Sequence, residues 1–290
     1  MRCELTIVIV AYRCDELLAQ CLDSLAPQID AVGARVVVVD NGSSAPTAAL
    51  VGHYAFATRV DPGANVGFAR ANNLVLAGVE EGDVLLLNPD TVVPDGALAA
   101  ALAALHARPE VGVVGPKLVR PDGTLDHACK RGFPTPASSS AYFLRLDRLF
   151  PRSPRLGAYR ASTLDPDAEG YVDAVNGAFM LVRGAALRAV GPLDEAFWMY
   201  GEDLDWCYRF HRAGWRVLYL PEPVTHVKWG SSSRFRDGRA TWAFHRAMWL
   251  FYRKHHARAA SAPVGALIFA AIHLKLTVAL ARNAVARRLL

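Results

Sequence analysis

Paired cysteines are missing from this sequence, and their absence disfavours domains that depend on disulfides or on cysteine-bound zinc. The five cysteines are an odd number and form no CxxC pair; they are Cys3, Cys14, Cys21, Cys129 and Cys207. This usage is typical of a reducing compartment. The N-terminus also lacks the form of a secretory signal, because it runs directly into a strand-like apolar stretch. We therefore expect a cytoplasmic protein.

Charge is scarce as well, since 20% of the residues are charged and 52% are hydrophobic. This composition favours a folded chain, and 290 residues allow one large domain or two small ones. The net charge of +5 and the pI near 9.0 suit an anionic partner such as a nucleotide sugar, a phospholipid surface or nucleic acid. Nucleic acid is supported by the pI alone, so we expect no nucleic-acid partner.

Hydrophobic periodicity predicts an α/β fold. Apolar, β-branched runs at Leu5–Ala11, Arg35–Val39 and Val84–Leu87 predict buried strands, and helical spacing fills the segments between them. This alternation predicts a mainly parallel central sheet with helices on both faces. The turn after the first strand, Ala11–Asp15, has no glycine, which disfavours a nicotinamide or flavin enzyme. Residues 120–170 are irregular and are predicted to form a long insertion or loop.

Polar residues follow three predicted strands at their carboxyl ends, where ligands bind in open α/β sheets. Tyr12 follows the first strand, Asp40 ends the second, and Asp90 follows the fourth. Each has an ordinary explanation taken alone, as a core aromatic or as a turn former. Together on one rim they favour a nucleotide site, with an aromatic face for a base and carboxylates near the base, ribose and phosphate.

Five motifs in order carry a resemblance to a known family. The sequence resembles family 2 inverting glycosyltransferases, in particular their bacterial rhamnosyltransferase branch, from about residue 5 to about residue 255. The motifs are TIVIVAY, VVVVDNGS, NVGFARANN, LLLNPDT and FWMYGEDLDWCYRFHRAGW. The resemblance implies a glycosyltransferase-A catalytic domain over residues 1–255. A nucleotide-sugar half of about residues 1–115 and an acceptor half over 116–255 would share one sheet.

The resemblance also implies a reaction. A sugar, with L-rhamnose from TDP-rhamnose as the expected donor, would be moved onto a lipid-linked or polysaccharide acceptor in cell-wall or surface-glycan assembly. Tyr12, beside Ala11, would stack on the base, and Asp40 would accept from its N3–H. Asn65, Gly67 and Arg70 would lie along the nucleotide, where the glycine permits close approach and the guanidinium offers a fork of donors. A plain loop-to-helix cap is the alternative for the Asn65–Phe68 stretch.

A divalent cation, Mg²⁺ or Mn²⁺, is implied beside the diphosphate. Asp90 matches the last position of the family's DxD element, and His226 matches a histidine that contacts metal or diphosphate in similar enzymes. The first DxD position is Asn88, whose amide oxygen can accept but brings no charge, so weaker metal binding is expected. A polar, cationic stretch after His226 suits phosphates; it comprises Lys228, Ser231, Ser232, Ser233, Arg234 and Arg236.

Three carboxylates in four residues mark a second chemical cluster at Glu202, Asp203 and Asp205. A helix N-terminus tolerates such charge, but the resemblance implies Asp203 as the general base that deprotonates the acceptor. Glu202 would assist catalysis and Asp205 would orient the acceptor or hold the loop. Further acceptor contacts are implied for Asn176, Gly177, Trp198 and Tyr200, although the two aromatic residues fit a core equally well. The strand that precedes His226 is predicted over Arg216–Leu220.

Residues 256–290 are predicted to form a separate helical, membrane-associating segment. Val264–Ala281 is apolar except for His273, Lys275 and Thr277, and it is short for a membrane span. Lys275 and Arg282 share one helical face, which favours an interfacial helix on the anionic inner face of the plasma membrane. A packed helix, a membrane span and a homo-oligomer stay open. A peripheral location would suit an acceptor carried on a polyprenyl diphosphate.

A non-catalytic nucleotide-sugar or glycan-binding protein with the same fold is the alternative function. The loss of a carboxylate at Asn88 supports it. The joint presence of Asp90, Asp203 and His226 favours an enzyme instead.

Overall fold

The computed structural model describes residues 5–135, 138–139, 141, 144–150, 153, 156–227, 238–257 and 261–288. Its strands are β1 (Leu5–Ala11), β2 (Ala34–Asp40), β3 (Ala57–Val60), β4 (Asp83–Leu87), β5 (Thr91–Val92), β6 (Val111–Val119), β7 (Gly170–Val172), β8 (Phe179–Val182) and β9 (Arg216–His226). Its α-helices are α1 (Asp15–Leu25), α2 (Ala45–Gly52), α3 (Phe68–Leu76), α4 (Ala97–His106), α5 (Leu146–Leu149), α6 (Gly184–Val190), α7 (Glu202–Arg212), α8 (Gly238–His255) and α9 (Ala262–Arg288).

All nine strands join one mixed sheet in the order β3-β2-β1-β4-β8-β6-β9-β5, with β7 paired to β9. The pairs among β1 to β4 are parallel, as is β6 with β9, whereas β8 runs antiparallel between β4 and β6. The predicted, mainly parallel α/β sheet is therefore confirmed. Because β6 runs through residue 115, the two predicted halves share this sheet.

Strand β1 is buried along its whole length, as its apolar sequence predicts for a central parallel strand. Its neighbours lie on opposite sides: β2 pairs from Leu5 to Ala11, and β4 pairs from Leu5 to Ile9. The order of the strands along the chain reverses between β1 and β4. Such a reversal leaves a crevice beyond the carboxyl ends of the strands, and ligands bind there in open α/β sheets.

Strand β9 differs from the prediction, which ended it at Leu220. It continues to His226 through Pro221 and Pro223, and its register against β6 shifts opposite Pro116 and Lys117. Proline is tolerated in strands at such irregularities, where a ladder hydrogen bond is already absent. The longer strand pairs His226 with Thr91 of β5 and so brings the histidine next to the turn after β4.

Helices α8 and α9 form an antiparallel pair. The rings of Trp249 and Phe269 have centroids 5.0 Å apart, and Asn283 Nδ2 donates to Thr241 Oγ1 at 2.9 Å. Helix α9 has 27 residues, of which Ala262–Val285 are long and apolar enough to cross a membrane, with mean hydropathy 2.0. The apolar helix is thus longer than the Val264–Ala281 stretch, which taken alone is short for a membrane span.

Close backbone packing fixes the start of α6 against β4. Gly184 N donates to Asp83 Oδ1 at 2.8 Å, and a Cβ at Gly184 would overlap the carbonyl oxygen of Gly82. We expect Gly184→Ala to lower the free energy of unfolding by about 2 kcal/mol, because backbone atoms cannot yield as a side chain does. Gly52→Ala in α2 is the matched control, since its Cβ would meet nothing within 4 Å. Urea denaturation that gives equal midpoints for the two variants would contradict this packing.

Candidate active site

A cavity of about 1120 Å³ opens at the carboxyl ends of β1, β2 and β4. Most of the predicted site residues lie in its wall, although they come from loops far apart in the chain. They are Tyr12, Asn65, Gly67, Asn88, Asp90, Asn176, Gly177, Trp198, Tyr200, Glu202, Asp203 and His226. The structure thus brings the predicted donor, acceptor, metal and base residues to one cavity.

One end of this cavity is built for a planar group. Tyr12 is 44% exposed, and the guanidinium carbon of Arg13 lies 5.2 Å from the centre of its ring. Asn41, which sequence reasoning missed, holds the facing loop: its Oδ1 accepts from Val66 N at 2.8 Å and its Nδ2 donates to Asn65 Oδ1 at 3.1 Å. An exposed aromatic face beside a fixed amide pair can stack a nucleotide base and bond its edge.

Gly67 lines the cavity, but a glycine is needed at this position because of the neighbouring Trp198. Its φ is +88°, and a Cβ there would overlap both the ring and the carbonyl oxygen of Trp198. That carbonyl also accepts from Phe68 N at 2.8 Å. The glycine therefore lets the start of α3 lie against Trp198, a physical reason other than the predicted approach to the nucleotide.

Three predicted donor residues are not part of the cavity wall in the region that the structure describes: Ala11, Asp40 and Arg70. Ala11 is buried within β1. The Asp40 carboxylate is buried: its Oδ2 accepts from Arg59 Nη2 at 2.7 Å and from Ser44 N at 3.0 Å, and its Oδ1 accepts from Gly42 N at 3.3 Å. Arg70 is 62% exposed on α3, with its Nε 3.9 Å from a carboxylate oxygen of Glu195.

Asp90 and His226 converge in the wall of the cavity, with His226 Nε2 3.4 Å from Asp90 Oδ1. The other ring nitrogen, Nδ1, lies 3.0 Å from Oδ2 of Asp126, a buried carboxylate that also accepts from Ala128 N at 3.2 Å. Burial lowers the pKa of His226, whereas the contacts with Asp126 and Asp90 raise it and prevail.

This arrangement fits a divalent cation. Imidazole and carboxylate donors meet at one point, and a carboxylate behind the histidine orients it as in many metal sites. Among the described residues, no three His, Cys, Asp or Glu side chains form a ready metal cluster. A cation held by Asp90 and His226 would therefore take its remaining ligands from a diphosphate and water.

Asp203 is held by three donors. Its Oδ2 accepts from Arg131 Nη2 at 2.5 Å and from Gly177 N at 3.2 Å, and its Oδ1 accepts from Leu204 N at 2.7 Å. Both side chains of the ion pair are 12% exposed. Its position in the cavity wall leaves the Asp203 carboxylate within reach of a bound molecule.

Glu202 differs from Asp203 in its hydrogen bonding. It is buried, and its Oε2 has no hydrogen-bond partner among the described residues. Burial, assisted by the neighbouring charge of Asp203, raises the pKa of Glu202 to about 8. The two adjacent carboxyl groups thus differ in their surroundings: Asp203 is paired with a guanidinium, whereas Glu202 is buried and keeps its proton at pH 7. Such a difference is how proteins assign distinct proton roles to two acids in one site.

Asp205, the remaining carboxylate of the cluster, makes its contacts outside the cavity. It is fully buried and is bonded to Arg209 Nε at 2.9 Å, Lys254 Nζ at 2.8 Å and His255 Nε2 at 2.7 Å. These contacts join α7 to α8 and leave Asp205 outside the described cavity wall. The predicted role in holding this region therefore fits its contacts better than the predicted role in binding an acceptor.

The backbone before α7 explains how the two acids are presented. Tyr200 and Gly201 have φ of +69° and +82°, two successive left-handed residues that turn the chain sharply into the helix. Such a conformation is rare for tyrosine and is found mostly where the surrounding structure enforces it. The turn places Glu202 and Asp203 in the first turn of α7, where the helix dipole favours negative charge.

Sequence reasoning missed Asp126 and Arg131, which lie in the segment predicted to be an irregular insertion. That segment forms a 3₁₀ turn at His127–Cys129 and then joins Arg131 to Ala174 as an isolated bridge. No sequence motif marks these residues, because their partners His226 and Asp203 lie about 100 and 72 positions away. The predicted phosphate-binding stretch from Lys228 to Arg236 lies outside the described residues.

The cavity extends past the turn that presents Glu202 and Asp203 and reaches the C-terminal helices. This is a second feature that the sequence did not indicate. Residues of α8 and α9 line this part: Arg239, Ala240, Phe244, Ala247, Met248, Phe251, Tyr252, Ile268, Ala271, Ile272 and Lys275. The thiol of Cys14 also lines the cavity, but burial raises its pKa to about 11 and keeps it protonated at neutral pH.

Comparison with known proteins agrees with this geometry. The sequence model of the glycosyltransferase like family 2 matches residues 2–262. N-acetylglucosaminyl-diphospho-decaprenol L-rhamnosyltransferase of Mycobacterium tuberculosis is 32% identical over 235 residues, which cover 77% of this chain and 75% of that protein. Rhamnosyltransferase WbbL of Escherichia coli is 26% identical over 223 residues, covering 74% of this chain and 80% of that one.

Solved structures show the same fold. Mannosyltransferase PcManGT of Pyrobaculum calidifontis, in complex with GDP-Man and Mn²⁺, superposes with TM-score 0.57 and 19% identity over 99% of this chain and 74% of that chain. GalNAc-T7 with UDP, GalNAc and Mn²⁺ gives TM-score 0.60 and 13% identity over 86% of this chain and 47% of that chain. The predicted glycosyltransferase-A fold is confirmed.

The raised pKa of Glu202 predicts a dependence of stability on pH. The folded state keeps this proton up to about pH 8, whereas the unfolded chain releases it near pH 4.5. The contribution of neutral Glu202 to the free energy of unfolding is therefore fully present below pH 4.5. It declines by at most about 1.4 kcal/mol per pH unit as the pH rises towards 8. In thermal unfolding from pH 5 to 9, the melting temperature of Glu202→Gln should rise relative to that of the wild type up to about pH 8. Above pH 8 the difference should stay constant.

Glu16→Gln is the control for this comparison, because Glu16 also lies in the first turn of a helix but is exposed. Its melting curve should run parallel to that of the wild type across the range. A Glu202→Gln curve that also stays parallel would show that Glu202 is ionised in the folded protein.

Proposed function

The chain belongs to the glycosyltransferase like family 2, and on this premise we propose that it is an inverting rhamnosyltransferase that acts on a lipid-linked acceptor. Its sugar donor would be TDP-L-rhamnose. The similarity to two rhamnosyltransferases supports the sugar, and the name of the mycobacterial relative supports a sugar-diphospho-lipid as the acceptor. The observation that carries the proposal is the position of the salt-bridged Asp203 carboxylate, which lines the same cavity as Tyr12 and Asp90.

The reaction is a single displacement. Asp203 accepts the proton of the acceptor hydroxyl as the acceptor oxygen forms a bond to the anomeric carbon. The bond from that carbon to the phosphate oxygen breaks, and its electron pair leaves with the nucleoside diphosphate. One base and one in-line step invert the anomeric centre. Burial raises the pKa of Glu202 to about 8, so its carboxyl group can donate its proton to an oxygen of the acceptor at pH 7.

The donor would lie between Tyr12 and the turn Asn88–Asp90. The Tyr12 ring stacks on the base, while Asn41 and Asn65 hold the loop beside the sugar and phosphates. Asp90 and His226 would hold a divalent cation, which would neutralise charge on the departing diphosphate. The Mn²⁺ in two solved structures of this fold supports a cation of that kind.

We further propose that residues 1–255 form the catalytic unit and that residues 256–290 associate with the cytoplasmic face of the membrane. The exposed, apolar helix α9 supports this division, because only 6% of its most apolar stretch is buried in the molecule. An acceptor with a lipid anchor would be met at that surface.

Asp203→Asn tests the proposed base. The variant keeps the shape of the side chain but cannot take up the proton, so we expect transfer from TDP-rhamnose and slow donor hydrolysis to fall by at least about a hundredfold. Asp95→Asn, at an exposed position, is the control and should keep full activity. Undiminished turnover in Asp203→Asn would contradict the assignment of this base.

Asp126→Asn tests the proposed cation site without relying on turnover. Loss of the carboxylate behind His226 should weaken Mn²⁺ binding in the presence of TDP by about tenfold to a hundredfold, as measured by electron paramagnetic resonance of free Mn²⁺. Asp122→Asn is the matched control on the same segment, because the Asp122 carboxylate lies in an exposed turn and accepts from Thr124 N at 2.9 Å and Thr124 Oγ1 at 2.6 Å. Equal Mn²⁺ affinity in both variants would show that Asp126 does not position a metal ligand.

A further inference from the structure

The part of the cavity between α8 and α9 is not needed by a nucleotide sugar. We call it the helical arm, and define it by Phe244, Met248, Phe251, Ile268, Ile272 and Lys275. It belongs to the same cavity as Asp203, yet its residues come from the two C-terminal helices rather than from the sheet. Its position and chemistry therefore call for a ligand other than the donor.

The helical arm begins at the acceptor side of the site. A Cβ on Gly201 would lie 3.2 Å from Cβ of Ala247, so α8 packs directly on the turn that presents Glu202. The ring of Tyr200 meets the ring of Phe244 at right angles, with their centroids 5.8 Å apart. A molecule whose hydroxyl reaches Asp203 from this side would thus continue along α8.

The wall of the helical arm is mostly apolar, with a cation at one point. Met248, Phe251, Ile268 and Ile272 are hydrocarbon or thioether side chains, which favour an apolar ligand over a glycan. Lys275 is the exception among the residues that define the arm, with its Nζ 5.9 Å from the centre of the Phe244 ring, and a second cation, Arg239 of α8, lines the same part of the cavity. One ammonium group beside a hydrocarbon channel suits an anionic group attached to a hydrocarbon chain.

The outer side of α9 shows how such a molecule would enter. Large apolar side chains are exposed along one face of this helix, opposite the face of the buried Ile272; they are Leu267, Leu274, Val278 and Val285, between 50% and 70% exposed. An apolar face of this length is suited to lipid rather than water. The helical arm therefore lies directly beneath a surface fit for a membrane.

We propose that the helical arm binds the isoprenoid chain of a polyprenyl-diphosphate-linked sugar, with Lys275 against the diphosphate. This inference rests on the proposed function, and it assigns the lipid half of the acceptor to α8 and α9. The diphosphate lies between the sugar, whose hydroxyl reaches Asp203, and the chain, which runs between the helices towards the membrane-facing side. Growth of the chain from a short alkyl group to several isoprene units should then lower KM.

Two acceptors with the same sugar diphosphate distinguish the parts of this proposal, one with a methyl group and one with a farnesyl chain. In the wild type, the farnesyl acceptor should have a KM at least tenfold lower, with similar kcat. Ala271→Trp fills the helical arm, since Ala271 lines it, and should remove this difference by raising only the farnesyl KM. Lys275→Met should raise KM for both acceptors.

Ala281→Trp is the control, because Ala281 is exposed on α9 and does not line the described cavity wall. Hydrolysis of TDP-rhamnose in the absence of acceptor should be the same in Ala281→Trp as in the wild type. Donor hydrolysis with no preference for the farnesyl acceptor, or with a preference that Ala271→Trp leaves intact, would overturn the helical arm while the proposed function stands. Absence of both hydrolysis and transfer in the wild type would instead contradict the proposed function.

A second measurement does not depend on turnover or on a variant that folds. Farnesyl diphosphate with a photoreactive benzophenone on its chain should crosslink to peptides of α8 and α9 in the wild-type protein, and unlabelled farnesyl diphosphate should compete. Crosslinks confined to the sheet or to other helices would overturn the proposal.

Discussion

The buried ion pair of Arg131 and Asp203 is the interaction on which the rest of the site depends. It joins three parts of the chain that are distant in sequence: the segment after β6, the loop before β8 through Gly177 N, and the start of α7. A buried pair of this kind contributes little net stability, but loss of one partner leaves a charge stranded at a cost of about 3–5 kcal/mol. The pair therefore fixes the position of Asp203 and the geometry of the acceptor side around it.

That constraint also explains the neighbouring groups. Burial, together with the neighbouring charge of Asp203, raises the pKa of Glu202, so the two acids can have different roles within one turn of helix. Asp205 instead binds Lys254 and His255 of α8, and these contacts join α8 to α7. The same helix α8 then forms the wall of the cavity that leads to α9, so the charges around the base and the shape of the acceptor path share one scaffold.

Much of the fold followed from local pattern. The apolar runs of β1, β2 and β4 and their polar ends were predictable, because buried parallel strands have a clear signature and their carboxyl ends must meet at one edge. Asp126 and Arg131 were not predictable, since their segment has no periodicity and their partners are distant. The partners of Asp40 and Asp205 were equally hidden: Arg59 and Lys254 satisfy carboxylates that the motifs alone assign to ligands. The prolines of β9 interrupt the strand pattern in the sequence, so the part of the strand that carries His226 was not predicted.

The central claim is that one ionised carboxylate drives a single displacement at the sugar. The anomeric configuration of the product, determined by NMR after transfer from TDP-rhamnose to the farnesyl-diphosphate-linked acceptor, tests this claim most directly. The account predicts complete inversion relative to the donor, because Asp203 takes the proton of the attacking hydroxyl and forms no bond to the sugar. A product with retained configuration would require two displacements and would contradict the account.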